Sequence, residues 1–249
     1  MSAPYYADDQ VTLYLGDCRE LVPELTRRTD VADCIITDPP YGETSLDWDT
    51  WPIGWPALMA PLTRSMWVFG SMRMFLDRGS DFAGWWNLSQ DVVWEKHNGS
   101  GFASDRFKRV HEHALHWYRG PWADVYREPQ FTNDAVARRL HRRHRPPHMG
   151  DVGASSYASE DGGPRLMRSV LAVRSMHGSA IHPTEKPIGI LDPLIRYSCP
   201  PGGLVLDPFA GSGSTLDAAR TPGRRAIGIE AREQYCEAIA RRLSQGVLA

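Results

Sequence analysis

The sequence predicts an α/β sheet. Three observations carry that expectation: short apolar runs that stop at Gly or Asp, helical spacing among later apolar residues, and a Gly-x-Gly turn after one run. Residues 11–15 alternate and stop at Gly16. Residues 32–37 form a β-prone run that stops at Asp38, and residues 66–69 stop at Gly70. Residues 92–94 are another short run, and 114–118 read as its antiparallel partner. Residues 204–206 stop at Asp207, and 226–229 stop at Glu230. Apolar runs of this length with polar stops read as buried strands. Helices are expected over residues 188–197, 214–220 and 232–243. In the last, Tyr235, Ile239 and Leu243 recur on one face.

The chain has 249 residues, which suits one α/β domain carrying an insertion. Its net charge of -2 excludes a protein that coats DNA by overall basicity, so any nucleic-acid contact must come from local charge. The cysteines Cys18, Cys34, Cys199 and Cys236 are scattered without CxxC spacing, so neither zinc nor a disulfide framework is expected. No targeting segment or membrane-spanning run is evident.

The middle of the chain departs from the α/β pattern. From residue 121 to 180 the apolar pattern loosens. Arg138, Arg139, Arg142, Arg143 and Arg145 cluster without an intervening acid. Residues 150–163, rich in Gly, Ser and Ala, read as a loop. Three parts follow: 1–120, an insert at 121–180, and 181–249.

Two turns carry chemistry. In Asp207-Pro208-Phe209-Ala210-Gly211-Ser212-Gly213-Ser214-Thr215 a strand runs into a glycine turn, and Ser214 or Thr215 opens a helix. Glycines let a ligand approach the backbone, and helix-start N–H groups suit a carboxylate or phosphate. Glu230 ends the next strand, where an acid can bond ribose hydroxyls. Alone, the turn fits a plain strand-to-helix connection; Glu230 favours a nucleotide-like cofactor.

The other turn is Asp38-Pro39-Pro40-Tyr41, stiffened by two prolines at a strand exit. It reads as a rigid turn, and its chemistry suggests more. The amino nitrogen of adenine or cytosine shares its lone pair with the ring and attacks poorly. The Asp38 carboxylate and Pro39 carbonyl could accept both amino hydrogens and turn that lone pair outward. Tyr41 could stack on a base taken out of the duplex.

Together these motifs resemble those of beta-class amino-group DNA methyltransferases, with the catalytic loop first and the cofactor loop last. Leu15-Gly16-Asp17-Cys18 is similar to the family's N-terminal cofactor segment. His182-Pro183-Thr184-Glu185-Lys186-Pro187 is similar to a family motif beside the cofactor's methionine moiety. Trp94-Glu95-Lys96 and His111-Glu112-His113 resemble its late strands. The resemblance implies a Rossmann-like S-adenosylmethionine-dependent sheet of seven strands, one antiparallel, with an inserted target-recognition region. Asp38 would orient the target amino group and Tyr41 would stack. Asp17, Cys18, Asp38, Thr184, Lys186, Asp207, Phe209, Ala210, Gly211, Ser212, Gly213, Ser214, Thr215 and Glu230 would bind S-adenosyl-L-methionine, and no metal is implied. The five clustered arginines would contact double-stranded DNA.

Within the resemblance, Asp38 favours adenine N6, and serine in its place would favour cytosine N4. RNA or protein-amide methylation and a non-catalytic DNA-binding relative are alternatives; Asp38, Gly211 and Gly213 argue against them. A prokaryotic or phage-encoded cytoplasmic protein is implied, with a homodimer and a cognate restriction endonuclease as partners the family offers.

Overall fold

Apolar runs become strands where a polar stop ends them. The structure, a computed structural model, describes residues 3–26, 32–100, 104–142, 155–176 and 185–246. Strands β1 (Tyr6–Ala7) and β2 (Val11–Leu15) meet at Asp8, whose Oδ1 accepts from the Gln10 and Val11 N–H groups at 2.8 Å each. Asp17 caps helix α1 (Cys18–Leu25) by accepting from Arg19 N at 2.8 Å. Strand β3 (Cys34–Thr37) is buried throughout and ends at Asp38, before Pro39. Helix α2 (Trp55–Met59) carries Pro56 in its first turn. Strand β4 (Ser65–Gly70) leads to Ser71, which caps α3 (Met72–Ala83). Strands β5 (Asn87–Ser100) and β6 (Arg109–Tyr118) pair antiparallel. Then follow β7 (Phe131–Thr132), β8 (Arg138–Arg142), β9 (Ser155–Ser159), β10 (Arg165–Leu166) and β11 (Val170–Ala172). The chain continues through α4 (Ile188–Ser198), β12 (Leu204–Asp207), α5 (Ser214–Arg220), β13 (Arg225–Glu230) and α6 (Glu233–Gly246).

The main sheet has nine strands in the order β1-β2-β13-β12-β3-β4-β6-β5-β11. Its seven central strands, β2 to β5 in that order, contain one strand, β6, antiparallel to both neighbours. The short strands β1 and β11 extend the two edges. Alternation along β3 sends neighbours to opposite faces. Ile36 joins the layer of Leu191, Leu216 and Ile239, while Ile35 joins that of Trp55, Met59 and Phe82. Burying each such side chain contributes roughly 1.5–3 kcal/mol. No helix among the described residues is long and apolar enough to cross a membrane.

The chain divides into two compact units. The first comprises Met1–Glu128 with Ser169–Ala249 and holds the main sheet. The second is Pro129–Arg168, built from the antiparallel pairs β7–β10 and β8–β9. Its turns close on side chains: Asp161 Oδ1 accepts from Ala137 N at 2.6 Å, and Arg165 Nη2 donates to Asp134 Oδ2 at 2.8 Å.

Two expectations change. The loop expected over 150–163 contains a strand, because Ser155–Ser159 pairs in register with Arg138–Arg142. Small polar residues give no alternation to read, and the partner strand supplies the order. The short run at 92–94 is the middle of a 14-residue strand, whose ends pair with β6 despite their polarity. The expected seven strands with one antiparallel form the centre of the sheet, and among the described residues two short strands, β1 and β11, extend its edges. The expected site residues Thr184, Arg143 and Arg145 lie outside the described residues.

Candidate active site

Four parallel strands, β2, β13, β12 and β3, present their C-terminal ends side by side. Each ends in, or is followed within two residues by, a carboxylate: Asp17, Glu230, Asp207 and Asp38. This is the edge where α/β sheets bind ligands. A cleft of about 360 Å³ opens there.

Hydrogen bonds tie the strand ends together. Thr37 Oγ1 donates to Asp207 Oδ1 at 2.7 Å, joining the strand before the Asp38 loop to the start of the glycine turn. Phe209 N also donates to Asp207 Oδ1, at 3.1 Å. Burial pushes the Asp207 carboxyl up to about 6, against these donors. Glu230 accepts from Gly211 N and Arg232 N at 2.9 Å each. Burial holds its carboxyl above its ordinary value. Gly211 and Gly213 take φ of 54° and 74°, the left-handed region that only glycine enters at little cost.

A loop flanks the Asp38-Pro39-Pro40-Tyr41 segment. Asp49 accepts from Gly42, Glu43 and Thr44 N–H groups at 2.8, 3.0 and 2.7 Å. Trp51 Nε1 donates to Asp81 Oδ2 at 2.7 Å. Trp55 meets Phe209 edge-on with centroids 5.3 Å apart. Trp51 and Trp55 therefore serve as packing, while Trp48 and Trp51 also line the cleft.

Beside the loop sits a buried charge cluster. Lys186 Nζ donates to Asp38 Oδ2 and stands 3.7 Å from Glu112 Oε1. Lys96 Nζ lies 2.8 Å from Glu112 Oε2. The Tyr41 hydroxyl reaches Asp38 Oδ1 and lies 2.9 Å from Glu112 Oε1. Burial opposes the charge on Glu112, but Lys186 and Lys96 outweigh it and hold its carboxyl down at about 2. Burial, with Glu112 adding to it, leaves Asp38 above its ordinary value despite Lys186. Burial works against the Lys186 ammonium too, yet the two carboxylates hold it above its ordinary value.

Of the expected cofactor residues, Asp17, Cys18, Asp38, Lys186, Asp207, Phe209, Ala210, Gly211, Ser212, Ser214, Thr215 and Glu230 line this cleft, with Pro39, Pro40 and Tyr41. Gly213 lies behind the turn, its backbone packed on Ile239. Cys18 is buried at the start of α1, where burial and Asp17 push its thiol up to about 12. Arg138, Arg139 and Arg142 belong to β8 of the second unit. Glu112 and Lys96 were named in the sequence only as members of strand motifs and were given no role in the site. The signal was period-two spacing: Lys96 shares a face of β5 with Trp94, and Trp94 pairs with Glu112.

The sheet and cleft define an α/β protein with a cleft across the ends of its parallel strands. The chain belongs to the N6/N4 DNA methylase family, whose model matches residues 32–241. Over 67 residues it is 57% identical to YubD of Escherichia coli K12, named as a methylase, spanning 27% of this chain and only 30% of that protein. It is 26% identical over 268 residues to the type II methyltransferase M.ScaI of Streptomyces caespitosus, covering 98% of this chain and 84% of that one. The crystal structure of the M1.HpyAVI–SAM complex superposes with a TM-score of 0.65 at 25% identity, over 93% of this chain and 99% of that one.

Proposed function

We propose that this chain methylates adenine N6 in double-stranded DNA, using S-adenosylmethionine and a base turned out of the duplex. The observation that carries the reading is Asp38, a carboxylate at the exit of β3 whose strand pairs directly with β12 and its glycine turn. The donor set suits the cofactor. Asp17, Asp38, Asp207 and Glu230 give the cleft a negative lining that fits a sulfonium and an ammonium. The open glycine backbone at Gly211 and the carboxylate of Glu230 fit a nucleoside. When bound, the cofactor supplies an electrophilic methyl group.

The chain's own residues do the rest. Asp38 and the Pro39 carbonyl accept the two amino hydrogens, which draws the nitrogen out of conjugation. The prolines hold both acceptors in place, so little reorganisation is needed as charge develops. Tyr41 offers a ring to the extruded base. Asp38, where the alternative would be serine, favours adenine over cytosine. Arg138, Arg139, Arg142, Arg143 and Arg145 are proposed to hold DNA phosphates, with the insert at 121–180 as the target-recognition region between the halves 1–120 and 181–249.

The test is transfer of labelled methyl from S-adenosylmethionine to unmethylated DNA, followed by nucleoside analysis. N6-methyladenine is expected. N4-methylcytosine in its place would overturn the base assignment. Asp38→Ala should lower transfer by about 10²-fold or more. Undiminished transfer by that variant would overturn the mechanism.

A further inference from the structure

Both oxygens of Asp38 are engaged. Oδ2 accepts from Lys186 Nζ, and Oδ1 accepts from the Tyr41 hydroxyl. A base amino group that approaches Asp38 along either of these two directions takes the place of the donor already there. Each of these two groups has its second neighbour on the same atom, Glu112 Oε1, at 3.7 Å from Lys186 Nζ and 2.9 Å from Tyr41 Oη. Tyr41 has one hydroxyl hydrogen, so it can donate to only one of the two carboxylates at a time.

Glu112 is built to stay an acceptor. Its other oxygen is held by Lys96 Nζ at 2.8 Å, and Lys96 also lies over the Trp94 ring at 4.5 Å. Lys186 lies over the Phe69 ring at 5.1 Å, an apolar seat from which it can turn between the two carboxylates. The two carboxylates and two ammoniums sum to zero, so a shift of Lys186 between them leaves no buried net charge.

We infer that Glu112 is a positioning residue: it receives Lys186 and the Tyr41 hydroxyl as the target amino group takes their place on Asp38. Glu112 does not touch the base. It sets how readily Asp38 becomes available. The inference deepens the proposed function and rests on it, since it presumes that Asp38 accepts the amino hydrogens.

Charge makes the role measurable. The groups facing Asp38 are Lys186 before α4, Glu112 on β6, Tyr41 in its own loop and Asp207 at the end of β12. Glu112 acts on Asp38 as a like charge, so removing it should lower the Asp38 proton affinity and tighten the Asp38–Lys186 pair.

The experiment uses the full chain, S-adenosylmethionine and unmethylated DNA, with kcat and both KM values measured across pH. Glu112→Gln should lower kcat roughly 10- to 100-fold while either KM changes by no more than about threefold. The acid limb of its kcat profile should move to lower pH. Glu112→Asp keeps the charge but draws it back by one methylene. It should give an intermediate kcat with the limb in its wild-type place. Wild-type kcat in Glu112→Gln, or a loss confined to KM with an unmoved limb, would overturn the inference. Should Glu112→Gln fail to fold, Glu112→Asp decides alone: lowered kcat at unchanged KM supports the role, and wild-type kcat overturns it. Asp38→Ala separates the two levels. If it retains transfer, the proposed function fails. If it is inactive while Glu112→Gln behaves as wild type, only the role of Glu112 fails.

Discussion

Asp207 holds a carboxylate where water cannot reach it. It is 3% exposed, and burial pushes it up to about 6. An acid whose pKa is raised by folding costs stability once ionised. That cost is absent below its ordinary value near 3.8, grows as pH rises toward 6, and is complete above it. That cost is on the order of 3 kcal/mol. Asp207→Asn keeps an oxygen for Thr37 and Phe209 to donate to. The variant should therefore melt above wild type at pH 7.5, with the gap closing toward pH 4, in thermal melts at both. A gap that is the same at both pH values would show that the carboxylate is not strained. Asp207, Asp38 and Glu230 were legible in the sequence because each follows an apolar run, and a polar stop there faces the ligand edge. Glu112 was not, because its partners come from β5, from the exit of β3 and from the segment before α4. Only strand register brings them together.

At the scale of elements, the glycine turn and α6 depend on each other. A Cβ on Gly213 would lie 2.8 Å from Ile239 Cγ2, and the residue sits at φ 74°. Gly213→Ala therefore meets two penalties, left-handed backbone and overpacking. Together they should cost about 2–4 kcal/mol in a denaturant titration. A loss under about 0.5 kcal/mol would mean that α6 moves aside freely. Strands β2, β3, β4, β12 and β13 and helices α4 to α6 could be read from the sequence because their apolar spacing is regular. Helices α1, α2 and α3 could not. The first carries Pro23, the second is five residues long, and the third contains Gly79 and Ser80. Caps and tertiary packing hold them where propensity is weak. Strand β9 escaped notice for a different reason, since Ser155–Ser159 offers no apolar alternation and takes its order from β8.

Across the whole molecule, charge is divided unevenly. Pro129–Arg168 carries seven arginines against four acids, leaving +3, so the rest of the chain carries -5 within a total of -2. The overall charge hides a basic module. On its ribbon, Arg138 pairs with Ser159 and Leu140 with Tyr157, so these four share one face while Arg139 points the other way. If that face meets phosphates, Arg138→Ala should flatten the plot of log affinity against log salt by about 0.9. An unchanged slope would remove this face of the ribbon from the DNA contact. The sheet order has a consequence of another kind. Strands β12 and β13, made late, fit between β2 and β3, made early. Until residue 230 has left the ribosome, β2 and β3 have no strand between them and their inner edges stay open. The nascent chain cannot assemble this cleft in stages. The closing contacts join residues some 170 positions apart, as Leu204 N to Asp33 Oδ2 does. Such distant pairings slow folding, because the loop must close before the contact rewards it. Premature termination should therefore yield inert, aggregation-prone fragments and no partly active ones.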